Sequence, residues 1–177
     1  MLVPEISLTP QTVDRFIARF GEEKIAVLHS KLSIGERYDQ WQKIKSGKAK
    51  IIIGARSAIF APVKNLGIII IDEEHDSSYK SEMTPRYNAK EIAEVLAKKN
   101  RIPLILGSAT PDINTYYKAI NNEIVLLELT KRANKASLPN VEIVDLREEL
   151  ANGNRSMIST KLFSEIEKNL EDMHSYS

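Results

Sequence analysis

No cysteine occurs anywhere in the 177 residues. That excludes disulfides, zinc ribbons, iron–sulfur clusters and thiol nucleophiles. Glycine and proline are sparse at seven each, which excludes collagen-like and low-complexity chains. An excess of either charge is missing too: Lys+Arg number 25 against 24 Asp+Glu, a net charge of +1. A polybasic, histone-like grip on nucleic acid is thereby excluded, while a local basic groove is not. No apolar run approaches the ~18 residues of a membrane span, and Met1 to Glu5 lacks the charged-then-apolar order of a signal peptide. These absences leave the expectation of a soluble, cytoplasmic α/β chain, long enough for one well-cored domain and short for two.

Helical and strand patterns alternate in what is present. Thr9-Pro10 sets a capping hydroxyl before a proline, Val13, Phe16, Ile17 and Phe20 follow at helical spacing, and Gly21 closes the helix. Ser33 and Glu36 form a capping box for a second helix carrying Tyr38, Trp41 and Ile44. Trp41 and Phe60 are expected as core anchors. Ile25 to Leu28, Ile51 to Ile53, Gly67 to Ile71 and Pro103 to Leu106 are short continuous apolar runs, the pattern of strands buried on both faces of a parallel sheet. Asn88 to Lys99 and Thr115 to Ile120 read as helices, Glu123 to Leu129 and Val141 to Val144 as strands. Ser159 is expected to cap a last helix, with connectors at 129–139 and 150–156. The alternation predicts an open, mostly parallel sheet. Leu2-Val3 reads as the tail of a strand, and both ends of the chain read as cut.

The isoleucine run delivers Asp72-Glu73-Glu74-His75-Asp76 to a strand's carboxyl end, the edge at which open α/β sheets bind ligands. Four carboxylates there repel one another unless a cation or a set of donors is present. In nucleotide hydrolases the first acid of such a cluster holds Mg²⁺ through its water shell, and the next orients and deprotonates the attacking water. A solvated acidic loop is the bland alternative. The paired histidines of a metalloprotease are absent, and His29 and His174 lie in no motif. A second strand runs into Gly107-Ser108-Ala109-Thr110-Pro111, whose hydroxyls can reach the acidic cluster, or simply cap a turn. Ser77 to Lys80 and Pro85 to Tyr87 interleave aromatic and basic residues, the composition that stacks bases and holds phosphates; two tyrosines packed on their own domain would look the same.

Taken in order, Leu2 to Gln11, Gly54 to Pro62, Asp72 to Lys80 and Gly107 to Pro111 resemble the motifs of the PriA-type replication-restart helicases, DEAH-like members of superfamily 2. The resemblance covers essentially the whole chain. It implies a RecA-like P-loop NTPase domain of three layers, with residues 1–130 as an ATP-binding lobe bearing motifs Ia, Ib, II and III. Residues 131–177 would be a connector and terminal helix leading toward a second motor lobe. It implies ATP and Mg²⁺ as cofactors, with Asp72 on the metal through water and Glu73 as catalytic base. His75 would couple the nucleotide site to Ser108 and Thr110. Pro4, Glu5, Thr9 and Gln11 would lie along single-stranded DNA, as would Gly54, Arg56 and Ser57, with Tyr79, Lys80, Arg86 and Tyr87 in a DNA-sensing loop. Implied partners are single-stranded and forked DNA, other primosome proteins and single-strand-binding protein, in the bacterial cytoplasm near the nucleoid.

One element of that pattern is missing from the sequence: no G-x-x-x-x-G-K-[ST] phosphate loop occurs in it. The expectation is therefore most of a first motor lobe without its phosphate loop and first strand, from a helicase that unwinds DNA 3′ to 5′ at stalled forks, and without the family's zinc segment. Such a chain is expected not to hydrolyse ATP alone. The competing expectations are a non-hydrolysing module that binds single-stranded DNA or a primosome protein, and, more remotely, a metal-dependent hydrolase built on Asp72, Glu73 and His75.

Overall fold

The backbone begins in the middle of a sheet. In the computed structural model, which describes residues 1–130 and 140–174, Leu2 pairs in parallel with Gly54 on one side and Ile71 on the other. Strands β1 (Ile25–Leu28) and β2 (Ile51–Gly54) form one parallel pair, Ile25 opposite Ile51. Strands β3 (Ile69–Ile71) and β4 (Leu104–Leu106) form the other, Ile69 opposite Leu104. Leu2 and its neighbours join the pairs: Leu2 N–H donates to Ile70 (2.7 Å), Val3 N–H to Gly54 (3.0 Å), Gly54 N–H to Met1 (3.1 Å) and Asp72 N–H to Leu2 (3.0 Å). The resulting order is β1, β2, Leu2, β3, β4, all parallel, as the apolar runs predict.

Alternation along these strands sends side chains to two faces. Val3, Ile25 and Ile53 turn to one, where Phe16 and Ile17 of α1 (Pro10–Phe20) cover them. Leu2, Ile69 and Ile71 turn to the other, against Ala89, Ala93 and Ala97 of α3 (Ala89–Asn100). Alanine at every fourth position lets α3 approach the sheet closely. Helices on both faces of a parallel sheet make the expected three layers. Caps form as the sequence foretells: Thr12 N–H donates to the Thr9 hydroxyl (3.3 Å), Ser33 and Glu36 exchange their capping-box bonds at the start of α2 (Ile34–Lys45), and Gly21 closes α1 at φ 89°. Helix α4 (Ile113–Ile120) is capped by Asp112, so it starts two residues before the expected Thr115.

The described residues divide into two compact units, Met1–Leu127 and Glu128–Ser177. In the second, α5 (Leu146–Ala151) is capped by Asp145, and α6 (Thr160–His174) receives its cap from Ser159, whose hydroxyl accepts from Leu162 N–H (3.1 Å). Three expectations fail. Glu123 to Leu129 and Val141 to Val144 form no strands: among the described residues they pair with no other strand, and Val125, Val141 and Ile143 are exposed. The expected connector from Leu150 begins inside the short helix α5, and of the 129–139 connector, residues 131–139 lie outside the described residues. Trp41 and Phe60 are not core anchors, being 37% and 59% exposed.

Candidate nucleotide and nucleic-acid site

Every expected chemical residue of the acidic cluster comes from the carboxyl end of β3. The turn there is tight: Glu73 sits at φ 45°, a left-handed conformation that costs a non-glycine residue about 1–2 kcal/mol. Such strain collects where side chains must be aimed. Asp72 Oδ1 accepts from Glu73 N–H (3.2 Å), and a methyl group at Gly107 would stand 3.6 Å from that same oxygen. Gly107 thus leaves the ground beside Asp72 open.

Two clamps tie this turn to the end of β4. The first is His75, whose Nδ1 lies 2.7 Å from the Ser108 hydroxyl and 3.6 Å from the Glu73 carboxylate. Ser108 Oγ also accepts from Thr110 N–H (3.0 Å). The second is Glu74, which the sequence alone does not single out. It is 3% exposed, and its carboxylate accepts from Asp112 N–H (2.7 Å), Lys90 Nζ (2.7 Å) and the Thr115 hydroxyl (3.0 Å). Its own N–H donates to Gly107 (3.0 Å). Burial pushes the Glu74 carboxyl up, but the Lys90 ammonium, the Asp112 N–H and the Thr115 hydroxyl together hold it below the usual glutamate range. The only cue to this role is a buried third acid, which composition cannot separate from an exposed one.

In the aromatic–basic loop Tyr79 takes the packed alternative. Tyr79 is 2% exposed, and its hydroxyl donates to the Asp72 carbonyl (2.6 Å). Burial, then the nearby carboxylates of Asp72, Asp76 and Glu73, raise the phenol far above its ordinary value, so it stays a neutral donor. Its ring packs in the core and offers no face to a base. Pro4 and Gly54 are buried as well, and a Cβ on Gly54 would fall 2.4 Å from the Leu28 carbonyl. These three expected DNA contacts thus occupy packed positions. Asp76 caps the 3-10 turn Ser77–Tyr79 through Ser78 N–H (2.7 Å).

Arg56 leaves the end of β2 and donates to the carbonyls of Ser78 (3.1 Å) and Lys80, while its guanidinium lies 5.7 Å from the Tyr87 ring centre. Tyr87 meets Phe60 edge to face at 5.0 Å. Around them Glu5, Ser30, Ala55, Ser57, Ser78 and Tyr87 line a groove of about 220 Å³. The Ser30 hydroxyl donates to Glu5 and holds that carboxyl below its usual range. Lys80, Arg86, Ser57 and Gln11 are exposed, whereas the Thr9 hydroxyl is engaged by Thr12. A second cavity, of about 300 Å³, lies beside Pro10, Asp14 and His29, and His29 Nδ1 is buried without a partner. The structure therefore gathers the acidic turn, the second strand end and a groove holding one arginine along one sheet edge.

Comparison with known proteins gives this arrangement its relatives. The chain is 54% identical over 170 residues to replication restart protein PriA of Bacillus subtilis, a match covering 96% of the chain and 21% of that protein. It is 51% identical to replication restart protein PriA of Synechocystis, covering 92% of the chain and 20% of the relative. To that of Treponema pallidum it is 44% identical, covering 96% and 25%. The chain thus spans about a fifth to a quarter of the length of these curated relatives. The DEAD/DEAH box helicase model matches residues 1–119. The parallel sheet with its two helical layers is that family's RecA-like domain, and this chain belongs to the DEAD/DEAH box helicases.

Proposed function

We propose that this chain forms the strand-end portion of a first motor lobe in an ATP-driven DNA helicase of replication restart. The observation that carries the reading is the double clamp, in which His75–Ser108 and Glu74–Asp112 fasten the acidic turn to the loop after β4. A change in the position of either strand end is thereby felt at the other. In a translocating motor that is the connection between phosphate chemistry and grip on the strand.

Among the described residues no group of three or more His, Cys, Asp or Glu is placed to hold a metal ion. Asp72, with the open ground beside Gly107, fits a Mg²⁺ bound by one carboxylate and otherwise by water and phosphate oxygens. The ion would neutralise phosphate charge there. Glu73, held forward by its left-handed backbone, would orient and deprotonate the attacking water. His75 and Ser108 keep the turn and the second strand end in register, and Thr110 N–H fixes the serine. The same donor set argues against the metal-dependent hydrolase, which needs more protein ligands than it offers.

Single-stranded DNA would lie across the groove of Glu5, Ser57 and Tyr87, with Lys80, Arg86 and Gln11 at its border. Arg56 serves this surface by fixing the Ser78–Lys80 backbone. The motif resemblance read from the sequence would make the parent activity 3′–5′ unwinding at stalled forks in the bacterial cytoplasm. Forked DNA, primosome proteins and single-strand-binding protein are its partners. Since the sequence contains no phosphate loop, the 177-residue chain is expected to bind single strands without hydrolysing ATP. The test is titration of labelled oligodeoxythymidine at two salt concentrations, with ATP turnover measured alongside. Salt-steep binding weakened by Arg86→Ala, without DNA-stimulated turnover, is expected. Turnover stimulated by DNA, or binding indifferent to Arg86 and to salt, would overturn the assignment.

A further inference from the structure

Helix α2 turns most of its large apolar side chains away from the sheet. Ile44 packs on the sheet beside Ala26 and Ile52, but its neighbours there are polar: Gln40 Oε1 accepts from Val27 N–H (3.2 Å), and Lys43 Nζ donates to the carbonyls of Ile25 (2.7 Å) and Glu22 (2.9 Å). These bonds close the outer edge of β1, and Ile44 is the one buried residue of the helix. Its large apolar side chains instead face solvent, with Ile34 92%, Tyr38 59% and Trp41 37% exposed. A surface helix ordinarily shows the reverse order.

The exposed residues form a line. Ile34, Tyr38, Trp41 and Lys45 follow at i, i+4, i+7 and i+11, one face of a helix. Lys45 Nζ stands 4.6 Å from the Trp41 ring centre, and Tyr38 Oη accepts from Gln42 Nε2 (2.7 Å). At 3.6 residues per turn the two acids of the helix, Asp39 and Glu36, fall roughly 130–170° around the axis from this line, while Arg37 flanks it. Residues 31–50 hold six basic side chains against those two acids, in a chain whose net charge is +1. Lys31, Arg37, Lys45, Lys48 and Lys50 are all exposed. An acid-free line of aromatics bordered by cations suits a strand of stacked bases and phosphates.

We propose that the Ile34–Tyr38–Trp41–Lys45 face of α2 is a second binding surface for single-stranded nucleic acid, with bases stacking on Tyr38 and Trp41 and phosphates on Lys45 and Arg37. Because α2 follows β1 in an α/β succession, its amino end lies at the carboxyl end of the strands. The line then runs down the side of the sheet for about 16 Å, eleven residues at about 1.5 Å each. A strand leaving the groove beside Ser30 continues onto it. This inference rests on the DNA-binding reading above.

Trp41 is the only tryptophan of the chain, so its emission reports this face and no other. The full 177-residue chain is titrated with fluorescein-labelled dT20, following anisotropy for total binding and, with unlabelled dT20, tryptophan emission for the α2 face. Saturable quenching of Trp41 is expected. Tyr38→Ala should weaken binding roughly tenfold, the worth of one base stack, and Lys45→Gln should lower the salt slope by about 0.7. Ile34→Glu, at a position too exposed to disturb folding, should weaken binding by charge alone. Anisotropy that saturates while Trp41 stays bright and these variants bind normally overturns the α2 surface and leaves the groove standing. Absence of any anisotropy change overturns both. Quenching by poly-glutamate and not by dT20 also overturns it, assigning the face to acidic peptides.

Discussion

Replacing Lys90 by methionine is the sharpest test of how the site is held. The substitution keeps the stem that fills space beside Glu74 and removes the ammonium 2.7 Å from its carboxylate. Stripping one partner from a fully buried pair costs about 3–5 kcal/mol. Two features reduce that here: the Lys90 side chain is 18% exposed, and Glu74 keeps the Asp112 N–H and the Thr115 hydroxyl. A loss of about 2–3 kcal/mol follows, against the 5–15 kcal/mol typical of a whole domain. In a chain of this length that lowers Tm by roughly 5–10 °C. Glu74→Gln alone sets an amide NH₂ against the ammonium and costs about 2 kcal/mol. In the double variant the amide can accept from Asp112 N–H and donate to Thr115, so the two losses fall short of their sum by at least about 1 kcal/mol. Acid distinguishes the pair from mere packing. The Glu74 carboxyl is held below its ordinary range, so its contribution is complete above the ordinary pKa of about 4.3 and disappears as pH falls through the lowered value. The stability gap between the wild-type chain and Glu74→Gln should therefore narrow below about pH 4. Urea unfolding followed by circular dichroism at pH 7 and pH 3.5 measures all of this. A Lys90→Met loss under about 0.5 kcal/mol, strict additivity, or a gap that persists in acid would refute the reasoning.

Three further outcomes are expected. Tyr79→Phe leaves the Asp72 carbonyl without its phenol donor and should cost about 1–2 kcal/mol in urea unfolding; even Tyr79→Leu, once allowance is made for the unfolded fraction, should not weaken oligonucleotide binding, since the ring is buried. Gly54→Ala forces a methyl to within 2.4 Å of the Leu28 carbonyl, and thermal melting should show a loss of roughly 1–3 kcal/mol as the strand pair shifts. Arg56→Ala frees the carbonyls of Ser78 and Lys80, so amide exchange over residues 77–81 should quicken while the β3 amides stay protected.

Local grammar was legible and distance was not. The Thr9 and Ser33 caps, the Gly21 stop and the four apolar strand runs are written in adjacent residues; the caps and the stop form as read, and each run yields a parallel strand, β3 only from Ile69 and β4 with Ile105 half exposed. The acidic cluster and Ser-Ala-Thr were found because a chain places them at strand ends whatever surrounds them. Which of the aromatic residues point outward is decided by packing between segments far apart in sequence. Tyr79 went inward because the Asp72 carbonyl offered its hydroxyl a partner, and Trp41 stayed out because Gln40, Lys43 and Ile44 occupy the side of α2 facing β1. Glu74 needed Lys90, Asp112 and Thr115, residues 16 to 41 positions away, and no spacing rule joins them. Glu123 to Leu129 failed in the opposite sense: strand composition without a strand beside it stays irregular.

The seam at Leu2 has a consequence for the order in which this domain is assembled. The two strand pairs share no hydrogen bond with each other except through residues 1–3. The segment that closes the sheet must wait for partners some 50 and 70 positions further along. Each pair can form early from nearer neighbours, and the closing insertion then has the longest loops to tie down, which makes it the slow and late event. Until it happens, the inner edges of β2 and β3 are bare strands of isoleucine. The interval before that insertion is when the chain is most exposed to pairing with another copy of itself.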